Sequence, residues 1–488
     1  MGRQPKTGYE ERAADARAEW TPRPGMRLAL AHQWARLDNV WRTHRTVHGL
    51  AWNGLQRGDD LEHVFDHGRD LTWLRFDAED DRGWAPSVTV YRQAHTEDRH
   101  RVRNDGRRDR QGFDVTTWGA SGLVAIPSAT GRWTAGADLD RDETGSYARQ
   151  YDAEGRLQAT QVQGPVADGA RYDRLGIYLQ NQLHVGRDGP AEITSGIRFT
   201  RAHARADRVW DPATGGTLAI DRAWNALVGS LRGQVQFGAD ARSSFYAGVS
   251  QGFRAPNLSD LTRLDVARSG ELEVPVADLD PERYVSVEAG LRLNAAPARL
   301  TLSAYHTAIQ GMIVRTPTGN VLPDGMAEVT KRNAGDGYVH GVEGRLDVAV
   351  SRAWGAWAQL AWMDGRVDGY PTSAPVRKRE PVSRLMPLTA RLGLRWTERE
   401  GRAWVEAVGE AAEKAVRLSA ADRRDTQRIP PGGTPAYGVA HLRTGIEVTP
   451  ALRLTAAIEN VFNADYRIHG SGVNEPGRNT VLSAEMTF

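Results

Sequence analysis

The sequence predicts an all-β fold, an antiparallel up-and-down barrel of about 18 strands that crosses a membrane with those strands. Three observations predict it. Apolar residues recur with period two along most of the chain. The segments marked in this way are joined alternately by short turns and by long polar connections. Their second face is polar, but its composition differs from that of a soluble sheet.

The alternation runs the length of the chain. The first readable strand is 28–34, followed by 133–140, 193–199, 231–237 and 244–251. In 284–293, Val285, Val287, Ala289, Leu291 and Leu293 share one side, and Ser286, Glu288, Gly290 and Arg292 share the other. Segments 300–305, 340–350 and 391–396 repeat the pattern. In 441–448, Leu442, Thr444, Ile446 and Val448 oppose His441, Arg443, Gly445 and Glu447. In 452–461, Leu452, Leu454, Ala456 and Ile458 oppose Arg453, Thr455, Ala457 and Glu459. The last strand sets Leu482, Ala484, Met486 and Phe488 against Val481, Ser483, Glu485 and Thr487. Side chains on a strand point to opposite faces in turn, so each segment has one apolar face.

Tight turns fall between 293 and 300, at 351–354 and at Thr449-Pro450-Ala451, whereas 251–283, 311–337, 366–386, 411–437 and 463–479 read as long polar connections. A meander with unlike ends follows. The polar face decides between a soluble sandwich and a membrane barrel. It is rich in Gly, Ser, Arg, Glu and Gln, whose charges can pair or meet water inside a wide barrel. The apolar face meets hydrocarbon, which satisfies no polar group. Trp133, Trp354, Trp362, Trp396 and Trp404 sit near segment ends, where interfacial girdles form. A hydrophobic share of 40% suffices, because only alternate strand residues must face lipid.

Composition excludes other classes. No run reaches the ~18 apolar residues of a membrane helix. The 15 Trp, 13 Tyr and 9 Phe are too evenly spread for a disordered chain. The absence of Cys rules out disulfides, thiolate metal sites and a thiol nucleophile. With 63 Lys+Arg against 61 Asp+Glu, no net field recruits nucleic acid. The opening residues lack the apolar core of a secretory signal. No Gly-x-Ser-x-Gly elbow, His-Glu-x-x-His or phosphate-binding Gly loop occurs, so neither an enzyme nor a resident cofactor or metal is expected. A soluble β-rich hydrolase remains as an alternative by residue type alone.

The C-terminal stretch IENVFNADYRIHGSGVNEPGRNTVLSAEMTF (458–488) resembles the end of TonB-dependent outer-membrane receptors, with Asn460, Tyr466, Glu475, Pro476, Gly477 and Arg478 at motif positions. SQGFRAPNLSDLT (250–262), followed by LDPERYVSVEAGLR (279–292), resembles the same family's mid-barrel blocks through Gly252, Arg254, Pro256, Asn257 and Glu282. NAGDGYVHGVEGRL (333–346) resembles a third. The resemblance implies a barrel of about 22 strands in a Gram-negative outer membrane. It implies long loops that bind a scarce iron-containing ligand (haem, a haem protein or a ferric siderophore) and a TonB complex that acts through a lumen plug. Outer-membrane lipid and the barrel-assembly machinery would be further partners, with Phe488 as the assembly signal. On this reading residues 1–24 are a non-barrel segment, 25–488 are a partial barrel without its plug, and 28–34 is about the fifth strand. A plugless passive pore, or a fragment without function, is the alternative.

Physical roles can be assigned before any ligand is considered. Pro256 ends pairing and Asn257 closes a turn where strand 244–251 leaves the sheet. Glu282 opens the return strand, Gly477 suits a positive-φ turn, and Arg478 can pair with Glu475. Arg254 and Asn257 are also candidate ligand contacts, as are His44 and His48, since the block 33–46 with RIHGSG resembles the haem-protein branch. His340 and His469 read as structural. Asp138, Asp140 and Asp142 alternate like a calcium loop but lack its Gly and Glu, and read as strand-end carboxylates.

Overall fold

The structure, a computed structural model, describes residues 4–186, 190–212, 214–238, 243–268, 271–322 and 325–487. Phe488 lies outside the described residues. Strands β1 (Glu10–Arg23), β2 (Met26–Trp41), β3 (Glu62–Ala78), β4 (Ala85–Val102), β5 (Arg108–Ser128) and β6 (Gly131–Tyr151) pair in sequence, all antiparallel. A short β7 (Leu157–Thr160) precedes β8 (Ala170–Val185), β9 (Ala191–Asp211), β10 (Gly216–Phe237) and β11 (Ser243–Arg254). The next loop holds α1 (Leu258–Thr262), β12 (Asp265–Arg268) and β13 (Glu271–Glu273). The meander resumes with β14 (Glu282–Ala295), β15 (Ala298–Val321), β16 (Ala327–Ala349) and β17 (Trp354–Gly369). After a loop strand β18 (Lys378–Pro381) come β19 (Thr389–Thr397) and β20 (Ala403–Ala412). Helix α2 (Ala420–Arg424), β21 (Tyr437–Thr449), β22 (Leu452–Glu459) and β23 (Asn479–Met486) complete the order.

All 23 strands join one sheet, and without the short β7, β12, β13 and β18, nineteen staves form the meander. If the last stave is counted as the 22nd, β2 is the fifth, where residues 28–34 were expected. Two expectations are corrected. Residues 10–23 are a stave and not part of a non-barrel segment, because β1 pairs with β2 from Glu10↔Asp38 to Arg23↔Met26. The alternation there was masked because Ala14, Ala16 and Ala18 carry the face that ends at Trp20, and Ala is a poor strand signal. Residues 311–337 are not a long loop. β15 and β16 continue pairing from Ile313↔Asn333 to Val321↔Ala327, supported by β-branched Ile313, Val314, Thr316, Val329 and Thr330.

One face of the sheet carries exposed apolar side chains in register. Leu139 faces Leu175, Ile177 faces Phe199, Leu231 faces Val249 and Leu442 faces Ile458. Trp133, Trp354 and Trp396 extend this face at the short-turn end, and Trp354 pairs with Trp396. Trp362 lies farther along β17, tilted against His340 at 5.5 Å, and His340 in turn stacks on Tyr338. Trp404 is the exception to the expected girdle, because its ring lies on the opposite face against Gly445.

That opposite face explains the glycine content. Tyr91, Tyr178, Tyr246, Tyr305, Trp357 and Trp404 each sit directly across from a glycine: Gly119, Gly136, Gly290, Gly341, Gly393 and Gly445. A Cβ at any of the six would come within 3.0 Å of the facing ring or its hydroxyl. The missing side chain lets the ring lie flat across the neighbouring strand. Gly290→Val is therefore expected to cost about 1–3 kcal/mol through overpacking, read as a lower temperature for loss of heat-modifiable gel migration. An unchanged transition would refute the packing role.

The core lies inside the barrel mouth. Ala202, Ala204 and Ala206 on β9, with Tyr172, Ile220 and Trp224, receive Leu261, Leu279 and Ala167 from the long loops. The small alternating alanines leave room for a loop to fold inward. The Trp224 indole donates to the Leu279 carbonyl at 2.8 Å, and the Tyr172 hydroxyl donates to the Pro256 carbonyl at 3.0 Å.

Candidate functional site: the loop-bearing mouth

On the inner face of β4 and β5, near the long-loop end, three arginines converge on one carboxylate. Arg99 meets Asp109 Oδ1 at 2.8 Å, while Arg101 at 2.7 Å and Arg103 at 3.3 Å meet Oδ2. Register brings Arg99, Arg101 and Asp109 to one face, because Arg101 pairs with Asp109 and Arg99 with Gln111, and Arg103 joins from the turn after β4. Three guanidiniums gather on one carboxylate. They border a cavity of about 820 Å³ whose walls include Arg45, His63, Gln163 and Trp210.

A second cavity of about 800 Å³ shares Arg99 and Gln111 with the first and adds Phe65, Phe113, Tyr172, Arg174, Arg254 and Asn257. An aromatic ladder on the inner face meets this cavity at Phe65 and Phe113. Ring centroids are separated by 5.6 Å from His63 to Phe65, 5.8 Å from Phe65 to His67, 6.5 Å from His67 to His95 and 6.1 Å from His95 to Phe113. The mouth thus combines aromatic surface with a cluster of arginines. No group of three metal-ligating side chains occurs among the described residues.

The profile of the TonB-dependent receptor-like β-barrel family matches residues 15–461. The chain belongs to that family. No curated protein matches the chain in sequence. Among solved structures, the copper transporter OprC is similar with a TM-score of 0.77 at 18% identity, covering 98% of this chain and 72% of that one. The FrpB iron transporter from Neisseria meningitidis gives 0.73 at 15%, covering 99% and 74%. The haemophore receptor HasR of Serratia marcescens, in complex with its haemophore HasA and haem, gives 0.72 at 15%, covering 98% and 72%. These likenesses show the fold. The receptor barrel belongs to a family of transporters, not enzymes, and that family implies an outer-membrane location.

Arg254 and Asn257, candidates from the sequence, do reach the rim of the second cavity, but both are engaged with the protein. Arg254 binds Glu282 through two nitrogens at 2.8 and 2.5 Å and Asp260 at 2.5 Å. Lys331 adds contacts to Asp260 at 3.0 Å and Glu273 at 3.6 Å, and Arg315 meets Glu273 at 3.2 Å. Three cations and three carboxylates thereby tie β11, α1, β13, β14, β15 and β16 together. Burial pushes the Asp260 carboxyl up, but the bond from Arg254 and the Lys331 charge win and hold it below the usual carboxylate range. Asn257 caps α1 by accepting from Asp260 N at 2.8 Å. Gly252 lies on the inner face, where a Cβ would come 3.7 Å from Tyr284.

In the last long loop, Asn460 is the organiser. At φ 48° its side chain accepts from Ala464 N at 2.8 Å and donates to the Ala464 and Pro476 carbonyls at 2.8 and 3.1 Å. Two expectations change here. Gly477 has no positive φ. It is required because a Cβ would lie 2.6 Å from Asn463 Oδ1. Arg478 makes no ion pair with Glu475 among the described residues, and its Nε donates to the Val461 carbonyl at 2.9 Å. Burial and then the Glu410 charge raise the Glu475 carboxyl, and Tyr466 packs on Tyr437 at 4.6 Å. Arg467, the second residue of the motif's Tyr-Arg pair, is 1% exposed and lies over the Trp52 ring at 5.5 Å, bonded to Asn474 at 2.8 Å. Burial lowers it to about 10.

The remaining histidines and aspartates are placed as follows. His469 is buried, with Nδ1 at 2.9 Å from Thr434 Oγ1. Asp138 and Asp142 lie on the inner wall bound to Arg198 at 2.8 Å and Thr117 at 2.7 Å, and Asp140 binds Tyr91. His48 stands edge-on to Trp41 at 6.3 Å. His44 falls in a 3-10 turn, Thr43–Arg45, 9% exposed, and lines neither cavity. Burial first, then Arg428, lowers it to about 3. A depressed histidine pKa means that the unfolded chain takes up a proton that the folded chain refuses. Loop stability should therefore be complete above pH 6.5 and fall by about 1.4 kcal/mol per pH unit below it, down to about pH 3. Protease nicking of residues 43–54 against pH would show this, and H44Q should flatten the profile.

Proposed function

We propose that this receptor barrel captures an anionic iron chelate, haem or a ferric siderophore, at its loop-bearing mouth for uptake energised through TonB. The observation that supports this reading is the set of three arginines sharing the single carboxylate of Asp109. A cluster of guanidiniums at a cavity attracts a multiply charged anion. Among iron ligands, the aromatic ladder favours haem, because stacked rings match a planar macrocycle and guanidiniums match its propionates. Tight capture from dilute solution implies slow spontaneous release, which is why coupling to an energised partner fits the function.

The test is ligand-induced quenching of tryptophan fluorescence in the detergent-solubilised barrel, with haem, an anionic ferric catecholate and a neutral ferric chelate compared. Preferential binding of the anions supports the proposal. Equal binding of all three, or none, overturns it.

A further inference from the structure

We infer that His306 on β15 and His340 on β16 form a two-histidine site for a divalent late transition metal ion, copper(II) before zinc(II). The two are direct cross-strand partners, so their side chains leave the sheet side by side on one face. That face is the outward one. His306 also stands opposite the exposed Val287, and the exposed Leu302 on β15 and Val342 on β16 share its parity. Neither histidine lines the two cavities of the mouth, so the site is separate from ligand capture.

The two ring centres are 5.9 Å apart, with planes 23° from parallel. An ion bonded at about 2.0–2.1 Å to one nitrogen of each ring holds the centres about 5–6 Å apart, so the pair is spaced for one ion between them. Tyr338 stacks on both imidazoles, 5.7 Å from His306 and 5.3 Å from His340, and Trp362 packs on His340 at 5.5 Å, which fixes the ring orientations. Among the described residues neither imidazole takes part in a hydrogen bond or ion pair, whereas His32 bonds to Thr72, His203 to Asp221 and His469 to Thr434. Their nitrogens are free to ligate. Imidazole suits copper and zinc, with copper(II) held more tightly, while calcium and magnesium take oxygen ligands. Water completes the coordination of an ion held by two protein nitrogens.

The height of the pair gives a hydrated ion access. His340 is level with Asp364 on β17, one outward row above Trp362. Asp364 lies ten residues from Trp354, the short-turn end of β17. That is about 34 Å along the strand and, at a tilt of about 40°, about 26 Å up the membrane normal, just past the apolar band of about 25 Å. Asp364 pairs there with Arg417 at 3.2 Å, and His306 in the same row is exposed. A bound ion clamps β15 to β16 just below the register shifts between Ile309 and Ile313, where the ladder itself is irregular.

The experiment titrates copper(II) into the detergent-solubilised barrel and reads electron paramagnetic resonance. Wild type should bind one ion whose spectrum shows hyperfine coupling to two imidazole nitrogens, displaced by excess zinc(II) but not by calcium. H306Q and H340Q should each bind copper(II) at least tenfold more weakly and lose one nitrogen coupling, with heat-modifiable migration unchanged. H203Q, which removes a histidine already bonded to Asp221, should leave the affinity and spectrum as in wild type. Should one of the two variants fail to assemble, the other carries the comparison, since each removes one ligand, and the wild-type spectrum needs neither. Absence of a two-nitrogen signal in wild type, equal affinity in H306Q or H340Q, or a loss in H203Q as large as theirs overturns the inference.

Discussion

Arg254→Ala is expected to release the loop between β11 and β14 from the barrel mouth. The Glu282 side chain is 3% exposed and that of Asp260 10%, and both lose their guanidinium together. Removing one partner leaves buried charge uncompensated, which costs about 3–5 kcal/mol. Glu282 also accepts from Ile313 N at 2.8 Å, so the disturbance passes into β15. The wild-type barrel should resist limited proteolysis at 255–281, and the variant should be cut there while the strands stay intact. R254K should fall between the two, because an ammonium cannot reproduce the two-nitrogen grip on Glu282. An R254M/E282Q double variant should recover part of the loss, because it removes the stranded charge. Wild-type resistance in R254A would show that the loop is held by Leu261, Leu279 and the inward alanines alone.

The sequence made the wall legible and the mouth only partly so, for a physical reason. Stave identity depends on period two, a local property, and it could be read wherever Val, Leu or Ile carried the outer face, as in β14 and β22. It failed in β1, where alanines carried that face, and at the tips of β15 and β16, where register shifts in the ladder break the alternation. The mouth depends on register between segments far apart in sequence. Arg99, Arg101 and Asp109 are unremarkable in the chain and meet only because β4 turns tightly into β5. Motif resemblance singled out Arg254, Asn257 and Glu282, but which of them contact each other appears only when strands, helix and loop are brought together.

The charge argument for ligand capture makes its sharpest prediction at Arg99 and Arg101. Each charge-assisted hydrogen bond to a bound anion contributes about 1.5–3 kcal/mol. An R99Q/R101Q variant should therefore bind haem or the ferric catecholate at least about 150-fold more weakly, which corresponds to about 3 kcal/mol. Asp109→Asn should do the opposite. It removes the carboxylate that occupies the guanidiniums, so anion affinity should rise several-fold and the salt dependence of binding should steepen. This opposition of sign separates electrostatic recognition from a structural role, because a variant that merely loosened β4 and β5 would weaken binding in either direction of charge. The neutral chelate provides the second control, and its affinity should be unmoved by both changes. Should R99Q/R101Q and D109N both weaken all three ligands alike, the arginine cluster belongs to the wall and the ligand site lies elsewhere in the mouth.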